Sequence, residues 1–264
     1  MKKQWWQNII WTLVVICCLV ILGFVDKQQD ERTCEEIVIK IDRSNGNFFI
    51  DEEDVNQMVY HEMDTVVGRS IESIDAAKLE HKLNNHPTIS RAEVYKTLAG
   101  ELIVEVQQRT PIVRIFSFAG DSYYLDSTGK VMPPSSKYTS RVLVANGHIY
   151  DNFLEVNQLN AVNLHDTLSE ELIIDDIFRF ANYVRNDPFW SLQIEQLYVN
   201  KEMELELIPR VGNHRIVFGD ASDLEGKFKK LRIFYDKGLS KTGWNEYSVI
   251  NLKFADQVVC TKRN

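Results

Sequence analysis

From Ile9 to Val25 the chain reads IIWTLVVICCLVILGFV, seventeen consecutive residues without a charge. A water-exposed surface element does not carry such a run, so this segment constrains everything that follows it. As a helix at 1.5 Å per residue it is about 25 Å long, a little under the ~30 Å hydrocarbon core of a bilayer. Trp5, Trp6 and Trp11 cluster at its start, where indole rings favour the membrane interface. Lys2 and Lys3 precede the run, and Asp26, Asp30 and Glu31 follow it. That asymmetry sets the N-terminus in the cytoplasm and the body outside. A cleaved signal peptide has the same general layout. Against that alternative, the run is long for a signal's apolar region and no A-x-A-like site follows it. The Cys17–Cys18 pair also lacks the small residue expected before a lipidated cysteine. The expectation is a retained anchor, with residues 1–8 as cytoplasmic tail, 9–25 as transmembrane helix and 26–35 as juxtamembrane linker.

Charge divides at the same point. The 264 residues carry 30 basic and 38 acidic side chains, net −8; only Lys2 and Lys3 fall before Asp26, so the remainder is net −10. An acidic body is a poor match for polyanions, which argues against a nucleic-acid partner. Cys34 and Cys260 stand at opposite ends of that body, form no disulfide framework and are expected as free thiols.

The body opens with period-two alternation at Ile37, Ile39 and Ile41, a strand, and then a turn at Ser44-Asn45-Gly46-Asn47. Asp51 is a candidate N-cap for a helix whose apolar stripe is Val55, Met58, Val59 and Met63. A second stripe, Ala76, Leu79 and Leu83, begins near Ser73 and is stopped by Asn85-His86-Pro87. Strands over Ile89–Tyr95 and Glu101–Gln107 follow, joined by a turn at Leu98-Ala99-Gly100. The order strand, helix, helix, strand, strand packs two helices on one face of a small sheet.

Arg109-Thr110-Pro111 marks a boundary, since Pro111 cannot donate a ladder hydrogen bond. Beyond it the pattern predicts strands over Ile112–Phe118, Ser122–Leu125 and Arg141–Ala145, with a Pro133-Pro134-Ser135-Ser136 loop between the last two. A Thr167–Glu170 capping box precedes a helix with Ile173, Ile177, Phe180, Ala181 and Val184 on one face, ended at Asp187-Pro188. Met203, Leu205 and Leu207 alternate in one strand, and Arg215–Phe218 returns after Gly212-Asn213. A second box, Ser222 to Glu225, opens a helix with Leu224, Phe228, Leu231 and Tyr235 inward, closed at Lys237-Gly238. The last strand is expected over Ser248–Phe254, with a continuation over Gln257–Thr261.

No catalytic constellation emerges. The six histidines (His61, His81, His86, His148, His165, His214) are scattered, no C-x-x-C exists, and neither a Gly-rich phosphate loop nor a nucleophile elbow is present. Asp51-Glu52-Glu53-Asp54 sits at a helix start, where acids compensate the macrodipole. Asp175 and Asp176 diverge as helix neighbours and read as solvated. Lys227-x-Lys229-Lys230-x-Arg232 reads as a solvated helix face rather than an anionic-partner patch. No metal, cofactor or small-molecule substrate is expected.

The run Ile74-Asp75 … Leu79 … Leu83 … His86-Pro87-x-Ile89-x-x-Ala92-x-Val94, then Leu102-x-Val104-x-Val106-x-x-Arg109-x-Pro111, resembles a POTRA domain, specifically that of the FtsQ/DivIB cell-division family. Tyr123-Tyr124-Leu125-Asp126-x-x-Gly129-x-Val131 is similar to the hairpin that opens that family's second domain. The resemblance covers essentially the whole chain and rests on the order and spacing of its patterns. It implies an α+β fold: a single N-terminal transmembrane helix, a POTRA-like βααββ domain over 36–109, and a β-rich domain with flanking helices over 110–264. It further implies a non-catalytic divisome scaffold in the inner membrane at the division site, with its body in the periplasm. Such a scaffold binds the FtsB–FtsL coiled-coil pair, meets other divisome proteins, and helps control septal peptidoglycan synthesis. The family's apolar–Asp–Leu–Arg–Tyr run appears here as Ile250-Asn251-Leu252-Lys253-Phe254, with Lys253 keeping the cation and Phe254 the ring. Asn251 replaces the acid. The partner-binding segment implied is Ile250, Asn251, Leu252, Lys253, Phe254, Ala255, Asp256, Gln257, Val258 and Val259, with Ala255–Val259 as the augmenting edge. The alternative is a POTRA-containing envelope protein for secretion or outer-membrane assembly. A membrane-bound extracytoplasmic enzyme is a third reading.

Overall fold

A computed structural model describes residues 6, 11–20, 32–63, 65–151, 173–255 and 257–263. Residues 11–20 are helical. Among the described residues no helix is long and apolar enough to cross a membrane, and residues 9–10 and 21–25 of the apolar run lie outside them. The Thr167–Glu170 box also lies outside the described residues. The chain divides into two compact units, Met1–Ser44 with Ile50–Gln108, and Asn45–Phe49 with Arg109–Asn264.

The first unit contains β1 (Glu36–Asp42), α1 (Glu52–Glu62), α2 (Ala76–Asn84), β2 (Ile89–Lys96) and β3 (Glu101–Gln108). The sheet order is β1-β3-β2, with β1 parallel and β2 antiparallel to β3. Alternation in β3 buries Leu102, Val104 and Val106, which meet Val55 and Val59 of α1 and Leu79 and Leu83 of α2 in one core. Asp51 caps α1 in a reciprocal box with Asp54, so the acidic run is structural. The second helix starts later than the Ser73 signal suggests. A 3₁₀ turn (Ile71–Ser73) comes first, and the Asp75 carboxylate accepts the backbone N–H of Lys78 at 2.9 Å. Asn84 then ties the end of α2 to β2, accepting the Ala92 N–H at 2.8 Å and donating to the Ala92 carbonyl at 3.1 Å.

Among the described residues, the second unit is built on a nine-stranded sheet. Its elements are β4 (Pro111–Phe116), β5 (Ser122–Asp126), β6 (Val131–Met132), β7 (Leu143–Gly147), α3 (Ile173–Asn186), α4 (Trp190–Gln193), β8 (Ile194–Val199), β9 (Leu205–Pro209), β10 (Arg215–Gly219), α5 (Leu224–Phe234), α6 (Ser240–Thr242), β11 (Tyr247–Asn251) and β12 (Val259–Lys262). The strand order is β12-β11-β10-β9-β8-β7-β4-β5-β6. Phe180 of α3 and Phe228 of α5 converge on Phe218 of β10, with centroids 5.4 and 5.1 Å away, and Trp190 lies 5.0 Å from Phe228. These offset and edge contacts fill the core between helices and sheet. The Asn45–Phe49 segment belongs to this unit because Phe49 packs edge-on against Tyr124 at 5.4 Å and Tyr138 at 5.1 Å.

Several local expectations change. Met203 is not in a strand; its φ of 60° places it in a turn where the Asn200 side chain accepts the N–H groups of Glu202 and Glu204. Strand β7 lies two residues later than the apolar pattern predicts, because its parallel partners β4 and β8 set its register. Asp223 rather than Ser222 caps α5, accepting Gly226 N–H, while Ser222 bonds to Asp220. Gly238 does not end that helix. The ring of Phe234 occupies the space a Cβ would take there, and a π turn (Tyr235–Leu239) carries the chain on to Gly243, whose φ of +98° stops it.

Each unit holds a histidine kept neutral by burial. His214, 3% exposed and 3.2 Å from the Tyr235 hydroxyl, is held below its ordinary value of 6.5, and His86 is depressed for the same reason. The folded state takes up these protons less readily than the unfolded chain, so stability is fully present above 6.5 and falls as the pH drops below it. Thermal unfolding between about pH 7.5 and about pH 5.5 should show this acid loss, and His214→Gln should flatten it in the larger unit. An identical acid slope in that variant would assign the effect elsewhere.

Candidate functional site at the C-terminal sheet edge

Strand β11 is internal. It runs parallel to β10, with Ile250 opposite Ile216 and Asn251 opposite Val217, and β12 pairs antiparallel on its other side, with Cys260 opposite Ile250 and Val259 opposite Asn251. The expected strand through Phe254 ends at Asn251. There the side-chain oxygen accepts the N–H of Lys253 at 2.9 Å, turning the chain out of the ladder. Leu252 still donates its N–H to the Val217 carbonyl at 2.9 Å and is fully buried, as is Ile250. Those two side chains belong to the core and anchor the segment from below.

Lys253 and Phe254 lie in the connection between β11 and β12, both exposed, Phe254 at 46%. Lys253 forms an ion pair with Glu204, and the Lys230 ammonium of α5 donates to the carbonyls of Leu252 and Phe254. The basic tract is therefore more than a solvated face. Lys227 pairs with Asp220 at 2.6 Å, Lys230 holds the connection, and Arg232 stacks 3.6 Å over the ring of Phe189. Asp176 likewise pairs with Arg179 rather than remaining solvated.

The sheet edge itself is β12. Among the described residues it has one hydrogen-bonded neighbour, and Val259 is 42% exposed, with Thr261 and Lys262 also exposed. Ala255 and Gln257 precede it as exposed residues, Val258 is half-buried, and Asp256 lies outside the described residues. The free edge therefore runs from Val259 to Lys262 instead of Ala255 to Val259. Cys260 packs partly against the core, and burial raises its thiol pKa. Sequence reasoning did not single out Glu204, and it read Lys230 as solvated, without its contacts to the Leu252 and Phe254 carbonyls. The continuation expected over Gln257–Thr261 overlaps β12 (Val259–Lys262) without marking it as the edge. Among the described residues no group of three or more His, Cys, Asp or Glu side chains gathers as a metal site.

Residues 110–261, more than half the chain, match the family described as FtsQ/DivIB, C-terminal related. The chain belongs to the FtsQ/DivIB family. Residues 32–107 match the POTRA-like domain. Cell division protein FtsQ of Rhodothermus marinus is 24% identical over 198 residues, covering 73% of this chain and 67% of that protein. FtsQ/DivIB membership gives the chain a role in cell division.

Proposed function

We propose that this FtsQ/DivIB protein is a non-catalytic divisome scaffold, in which residues 36–109 form the POTRA-like domain and residues 110–264 the partner-binding domain. Residues 9–25 anchor it in the inner membrane with the tail cytoplasmic and the body periplasmic. The partners are homologues of the FtsB–FtsL coiled-coil pair, and through them the protein helps control septal peptidoglycan synthesis. The observation that carries this reading is the free β12 edge at the end of the nine-stranded sheet. Its unpaired N–H and C=O groups accept an added strand, and neighbouring side chains read it. Phe254 supplies an exposed ring, and Lys253 supplies a cation that exchanges Glu204 for a partner carboxylate.

Pull-down of the FtsB homologue tests it. Phe254→Ala should weaken capture by about 2 kcal/mol, roughly thirtyfold, as loss of a central aromatic anchor does. Lys253→Glu should also weaken it, by charge reversal, while both variants keep the melting temperature of the parent. Undiminished capture by both would remove the edge from the binding site.

A further inference from the structure

A groove of about 490 Å³ opens on the second unit, shares no lining residue with the β11–β12 segment, and has three arginines along it: Arg141, Arg185 and Arg210. Arg141 precedes β7, Arg185 stands in the last turn of α3, and Arg210 follows β9, where its backbone N–H is held by the Gln193 carbonyl at 2.7 Å. The floor is apolar and belongs to the core, with Ile112, Val184 and Ile194 each under 5% exposed. Among the described residues, the one acidic side chain lining the groove is Glu195.

The three guanidiniums have no salt bridge or side-chain hydrogen bond among the described residues. Elsewhere in this acidic chain cations sit against acids, as in Lys40–Glu105, Arg109–Asp126, Arg215–Glu206 and Lys253–Glu204. Three like charges around one groove repel one another, and an incoming anion offsets that repulsion. Guanidinium forks match carboxylates in bidentate geometry. A bare phosphate would use the rim and leave the apolar floor unfilled. An acidic peptide with an apolar anchor residue uses both.

We propose that this groove docks an acidic peptide segment of another protein, its carboxylates on Arg141, Arg185 and Arg210 and an apolar side chain on the Ile112–Val184–Ile194 floor. The test uses the full chain and a fluorescein-labelled peptide in which Leu alternates with Glu and Asp, read by fluorescence anisotropy. Binding should weaken with added salt and fall about tenfold or more in the Arg141→Gln/Arg185→Gln/Arg210→Gln variant, whose melting temperature and circular dichroism stay at the parent's. Lys253→Glu should leave it unchanged, which separates this groove from the β12 edge. Equal binding by the triple variant, loss of binding in Lys253→Glu, or displacement of the peptide by inorganic phosphate at matched charge concentration would each overturn the proposal.

Discussion

Asp126→Ala is expected to destabilise the strand-rich unit by about 3–5 kcal/mol, the usual consequence of breaking a buried ion pair from one side. Arg109 Nη1 meets Asp126 Oδ2 at 2.9 Å, and the two side chains are only 9% and 3% exposed. The same carboxylate organises the turn after β5, accepting Thr128 N–H at 2.8 Å, the Thr128 hydroxyl at 2.7 Å and Lys130 N–H at 2.9 Å. Truncation therefore strands a guanidinium in a low-dielectric site and leaves three donors of the turn without an acceptor. Urea unfolding at neutral pH reads the effect as a lower midpoint. Asp126→Asn, which keeps acceptors for the turn but discards the charge, should fall between parent and alanine. A double replacement, Arg109→Met with Asp126→Leu, should recover much of the loss because no lone charge remains buried. A cost under about 1 kcal/mol for Asp126→Ala would mean that water reaches the pair and screens it.

Gly147→Ala is expected to cost about 3 kcal/mol or more, by summing a strained backbone with a backbone clash. Gly147 has φ of +108°, and a Cβ built there would lie 2.2 Å from the Val199 carbonyl oxygen and 2.9 Å from its nitrogen. Those atoms belong to β8, paired with Gly147 in parallel register, so neither partner can swing aside as a side chain could. Gly120→Ala is the matched control: its φ is +98°, yet nothing lies within 4 Å of the added carbon. That variant should lose only the conformational term, about 1–2 kcal/mol. Equal losses in the two variants would show that backbone strain alone sets the cost and that the β7–β8 approach is looser than these distances indicate.

Where residues report on their own surroundings, the structure was legible in advance. Asp51 before Val55 and Val59, or Leu102, Val104 and Val106 in alternation, announce a capped helix and a one-sided strand because period and cap are local properties. Strand β8 was not legible. A register shift between Ile194 and Gln196 resets its period, so the buried positions fall at Ile194, Leu197 and Val199 instead of every second residue. The continuation of α5 past Gly238 was hidden for a similar reason: a ring from Phe234, one turn away, makes glycine acceptable inside the helical run.

The candidate site divides in the same way. The alternation Ile250-Asn251-Leu252-Lys253-Phe254 reads as one strand, yet the ladder stops at Asn251; order and spacing alone identified the family that residues 110–261 match. Which strand ends the sheet was decided only by tertiary structure. β11 lies between β10 and β12, and a strand's neighbours are set by pairings with residues far away in sequence, which leave no periodic mark on the strand itself. The grouping of Arg141, Arg185 and Arg210 is the stronger case, since a groove between a helix end and three strands brings together cations that no local pattern connects. The sequence by itself determined the buried face of elements whose period runs unbroken, such as α1 and β3; the tertiary structure alone decided which exposed groups stand side by side.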